Sequence, residues 1–72
     1  MILVNAPLKR DYIKGLLDQQ TIDGITFVFE KQDGMKMYFN HDGDPTKAQS
    51  VIKKTIKSSE FGSVLFFNVE IL

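Results

Sequence analysis

The 72 residues include no cysteine, which excludes a disulfide framework and any thiolate metal site. A chain this short must then be held by packing alone, or by packing assisted by association. No stretch approaches the ~20 apolar residues that a membrane-spanning helix requires, so no membrane partner is expected. The opening MILVNAPLKR has an apolar run of four residues with no basic segment before it, unlike a secretory leader, and a cytoplasmic location is the expectation. Net charge is missing too. Nine basic and nine acidic residues cancel, which removes any general electrostatic hold on nucleic acid or anionic membrane. The catalytic inventory is equally thin, with one histidine and neither a Gly-x-Ser-x-Gly nor a Walker-type loop. The expectation is therefore a protein that is not an enzyme, with no catalytic residue and no cofactor.

What is present is a globular composition, 43% hydrophobic and 25% charged, that places a single domain over residues 1–72. MILVN reads as a buried strand that Pro7 ends. PLKRDYIKGLLDQQ sets Leu8, Tyr12, Ile13, Leu16 and Leu17 on one side at helical spacing, with Pro7 in the first turn and TIDG closing the helix. ITFVFEK and MKMYFN flank QDG as a hairpin. A three-residue Gln32-Asp33-Gly34 loop pairs Phe27 with Phe39, Phe29 with Met37, Val28 with Tyr38, and Glu30 with Lys36 as a salt-bridge candidate. Asp44-Pro45 has helix-start chemistry, a capping carboxylate followed by a residue that needs no amide. Ala48, Val51, Ile52, Thr55, Ile56 and Ser59 then recur on one helix side, with the end expected near Gly62. SVLFFNVEIL reads as a last, strongly apolar strand.

The order strand, helix, strand, strand, helix, strand predicts an α+β fold of the ferredoxin-like, split βαβ kind (βαββαβ). Its four-stranded antiparallel sheet, in the order 4-1-3-2, would carry two helices on one face.

Four groups of residues are candidate sites. Asn40, His41, Asp42 and Asp44 crowd one loop, but they do not meet the EF-hand spacing and Asp44 is already needed as a cap, so no metal is assigned. Asn5, Lys9 and Arg10 surround the first helix start, where free amides attract anions; Pro7 removes one such amide, and an anion-using enzyme is the remotest alternative. Lys47, Lys53, Lys54 and Lys57 lie opposite the apolar side of the second helix and read as a solvated face. The fourth group is the sheet face away from the helices. Leu3, Val28, Tyr38, Val64 and Phe66 are expected in its middle, with Glu30, Lys36 and Asn68 toward the rim, an arrangement that marks an interface.

These residues predict a small protein-interaction or regulatory module that uses the open face for homodimerisation or for binding another protein. Single-stranded nucleic acid is the alternative ligand of the same face. Tyr38 could stack on a base, but the first strand offers no aromatic and the chain has no net positive charge, so nucleic acid is not the expected partner.

Overall fold

Ile2–Asn5 form β1, whose apolar residues Ile2, Leu3 and Val4 are all buried because the strand lies inside the sheet. The computed structural model describes residues 1–72. After β1 come α1 (Arg10–Leu17), β2 (Gln20–Ile22), β3 (Ile25–Asp33), β4 (Lys36–His41), α2 (Pro45–Lys57) and β5 (Asn68–Ile71). The strands build one open antiparallel sheet in the order β2-β3-β4-β1-β5. The helices contribute Ile13, Leu17, Ala48, Val51, Ile52 and Ile56 to a single core with Ile2, Val4, Phe27, Met37, Phe39 and Val69 of the sheet.

The class is therefore α+β, and the expected four-stranded ferredoxin-like sheet is corrected to five strands. The added strand is β2, which occupies residues assigned above to the end of the first helix. Leu17 closes α1, Gln19 adopts φ 59, and the chain turns back. Asp23 and Gly24 then take φ 50 and 81, so that Ile22 stands opposite Ile25. Positive φ at both central residues is what a two-residue hairpin turn of type I′ demands, and Asp-Gly supplies it at little cost. The start of α1 is corrected as well. Lys9 takes a left-handed conformation as the residue before the helix, with no side-chain cap, so Pro7 and Leu8 lie outside α1 and Leu8 is exposed.

The β3–β4 hairpin closes differently from the expected three-residue loop. Gly34, with φ 60, and Met35 form a two-residue turn that sets Asp33 opposite Lys36 and Lys31 opposite Tyr38. The register shifts between Phe29 and Lys31, leaving Glu30 as the extra residue of a bulge, and resumes with Phe29 opposite Phe39 and Phe27 opposite His41. None of the four expected pairs forms. The inside-outside parity survives because the bulge's extra residue restores the alternation that the shorter turn would have reversed. Phe29 and Phe39 make the aromatic contact of the hairpin, edge to face with centroids 5.7 Å apart.

α2 begins where its local chemistry places it. Asp44 accepts a 3.0 Å hydrogen bond from the Lys47 amide and Pro45 occupies the first turn. Asp44→Ala is expected to lower stability by about 1 kcal/mol through the lost cap, read as a lower urea midpoint with an unchanged slope; an unchanged midpoint would refute the cap's contribution. The helix stops at Lys57, short of Gly62, and the chain folds into successive turns with Gly62 N–H donating to Ser59 O and Val64 N–H to Phe61 O. Phe61 anchors this segment on α1, edge to face with Tyr12 at 5.0 Å and beneath the Lys9 ammonium at 4.4 Å. Consequently the last strand spans only Asn68–Ile71, and residues 64–67 lie outside it.

Candidate interaction surface

The sheet face turned away from the helices is built from rows of cross-strand neighbours. One row runs Lys31, Tyr38, Leu3, Glu70 and another Asp33, Lys36, Asn5, Asn68, with Val28 opposite Asn40 further along. The expected apolar centre is not exposed on it. Leu3 is only 6% accessible although no helix covers this side, since Tyr38 and Glu70 flank it on either strand. Tyr38 is itself half-buried, with the Lys31 ammonium 5.0 Å from its ring centroid. Polar side chains satisfy one another around this centre: Asn40 Nδ2 donates to Glu30 and Asn68 Nδ2 to Glu70. Glu30 and Lys36, expected to oppose each other, are separated by the bulge, and Lys36 faces Asp33 instead. Val28 is the remaining exposed apolar residue of the face. Val64 and Phe66 do not belong to it, because they precede β5.

The exposed apolar residues gather along the β5 side of the molecule. Phe66 is 80% accessible and Leu72 62%, with Val64 before the strand and Ile71 at its end also exposed. Phe66 and Phe67 line two hollows, one shared with Pro7 and Met35 and the other with Lys53 and Lys57 of α2. Beside them runs the free edge of β5. Leu72 N–H donates to Met1 O at 3.0 Å, which fixes the phase of the β1–β5 ladder. In the alternation of an antiparallel pair, Asn68 and Glu70 then also bond to β1, whereas Val69 and Ile71 turn their backbone groups outward. One outward group is covered: Val69 O accepts a 2.7 Å hydrogen bond from Gln49 Nε2 of α2.

The other candidate groups are dispersed. Asp42 accepts from the Thr26 amide at 2.8 Å, His41 Nδ1 from the Gly43 amide at 3.3 Å, and Asp44 caps α2, so each acceptor is turned to its own backbone partner. Arg10 Nη1 donates to Ala6 O and Pro7 O at 3.2 and 2.7 Å, while the Lys9 ammonium sits over Phe61. Asn5 lies on the sheet face between Lys36 and Asn68, so Asn5, Lys9 and Arg10 are not brought together. Lys47, Lys53, Lys54 and Lys57 are exposed on α2. Gln49 and Phe61 escaped the sequence reading. Gln49 carries no signal beyond its helical phase, but Phe61 could have been suspected as an aromatic between a helix end and a glycine.

No helix is long and apolar enough to cross a membrane. No family model matches the chain, and no curated protein or solved structure matches it.

Proposed function

We propose that this chain is a non-enzymatic protein-interaction module that associates with a second copy of itself through its β5 side. We further infer that β1, α1, β3, β4, α2 and β5 are a ferredoxin-like split βαβ unit to which β2 has been added at the β3 edge. The observation that carries the functional reading is Phe66, 80% accessible beside a free strand edge and two hollows that it lines together with Phe67. Exposed aromatic surface contiguous with further apolar residues is the mark of a contact region. In a small domain, covering it also adds stability that the core alone supplies sparingly.

The sheet face supports the reading less than the β5 side does, since its central Leu3 is already covered. Single-stranded nucleic acid has less support still, because the one aromatic of that face, Tyr38, carries the Lys31 ammonium on its ring. Sedimentation at micromolar concentration is expected to report about twice the 8.2 kDa chain mass. Phe66→Glu is expected to return the protein to the single-chain mass with its circular dichroism unchanged. A wild-type protein that sediments as a single chain across the accessible concentration range would refute self-association.

A further inference from the structure

We propose that β5 pairs antiparallel with β5 of a second copy, about a twofold axis at Val69, so that the two sheets continue into one. This rests on the self-association reading and specifies its geometry. The outward-facing backbone groups of the strand belong to Val69 and Ile71, and an antiparallel partner bonds only to residues of that phase. Of the twofold registers that this phase allows, centres at Val69 and at Glu70 engage all of Asn68–Ile71, and side-chain chemistry chooses between them. The Val69 centre sets Val69 opposite its own copy and Asn68 opposite Glu70, and brings Phe66 and Phe67, which precede the strand, toward Leu72 and Ile71 of the second copy. A centre at Phe67 would set every residue of the strand against residues 63–66, which lie outside it.

Side-chain chemistry agrees with that register. Glu70 is the only ionisable side chain in β5, and a centre on it would oppose two carboxylates, a destabilising pair. The Val69 centre instead gives each Glu70 the amide of the second copy's Asn68, a donor that already reaches Glu70 within its own strand at 3.2 Å. Phe66 and Leu72, two of the most exposed apolar residues of the chain, then cover each other at both ends of the contact. Of the devices by which edges avoid pairing, Asn68–Ile71 holds no proline, lysine or bulge. The Gln49 amide covers Val69 O, and in the paired state the second copy's Val69 N–H takes that place.

The test uses the absence of native cysteine. In this register residues 68 and 70 of opposite copies form a non-hydrogen-bonded pair on the exposed face, with Cα atoms about 4.5 Å apart, within disulfide reach. Oxidation of the Asn68→Cys/Glu70→Cys variant at micromolar concentration is expected to convert nearly all of it to a covalent dimer on a non-reducing gel. Either single variant is expected to run as a single chain on the same gel, because identical positions would lie roughly 8 Å apart, two residues out of step. Ile71→Pro, which removes an outward amide without touching the β1 ladder, is expected to bring the native mass down to a single chain. A wild type of double mass whose double-cysteine variant does not cross-link, or whose Ile71→Pro variant remains dimeric, overturns the β5 pairing and leaves self-association standing. A wild type of single-chain mass overturns both.

Discussion

Phe39→Ala is expected to cost about 3–5 kcal/mol of folding stability, the range for truncating a buried aromatic. Phe39 is fully buried on β4, between Ile2 of β1 and Phe29 of β3, and the Phe29 ring meets it edge to face. Both neighbouring strands are hydrogen-bonded to β4, so they cannot close the space left by the ring without breaking ladder bonds. At roughly 0.05–0.15 kcal/mol per residue, a chain of this length has about 4–11 kcal/mol in total. The variant therefore loses about a quarter or more of its stability and, at the lower bound, does not fold. Urea unfolding followed by circular dichroism measures the effect. Phe66→Ala is the matched control, because its 80% accessible ring contributes little to the monomer's core, and its stability should stay within about 0.5 kcal/mol of the parent at concentrations where the protein is monomeric. A Phe39→Ala protein that melts within a few degrees of the parent would mean that the inner and outer faces of the sheet are exchanged.

The features legible in the sequence are those whose cause is local. Asp44 and Pro45 start α2 by chemistry confined to one turn, and the structure places them there. Alternation in β3 and β4 likewise put Phe27, Met37 and Phe39 inside, whatever the turn between them. The register was not legible, because a two-residue Gly34-Met35 turn with a bulge at Glu30 preserves the same parity as a three-residue loop. β2 was missed since Gln20, Thr21 and Ile22 have almost no pattern of their own; only Asp23-Gly24 between two isoleucines announced a hairpin, and the preceding helical spacing masked it. The interaction surface moved for two reasons that no periodicity contains. Cross-strand side chains cover Leu3 from a face that has no second layer. The apolar run before Asn68 reads as strand, yet the turns after α2 hold it off the sheet.

Those turns depend on Gly62, and Gly62→Ala is expected to cost about 1–3 kcal/mol, the penalty for overfilling a packed site. A Cβ at this position would run into the carbonyl of Lys57 and lie against Ile56 O. Both are backbone atoms of the last turn of α2, which cannot swing aside as a side chain would. The segment must therefore lift away from the helix end. Lifting it strains the hydrogen bond from Gly62 N–H to Ser59 O and the seat of Phe61 between Tyr12 and Lys9. It also moves Val64 and Phe66, which follow within four residues, so the variant should associate more weakly than its lost stability alone requires. Gly15→Ala provides the contrast: a Cβ there meets nothing within 4 Å, and alanine in a helix interior should add about 0.5–1 kcal/mol. Urea midpoints for the two variants should thus move in opposite directions, with sedimentation showing a raised monomer fraction only for Gly62→Ala. Should Gly62→Ala unfold at the parent midpoint, residues 58–64 are not seated on the end of α2, and Phe66 has no fixed position from which to make a contact.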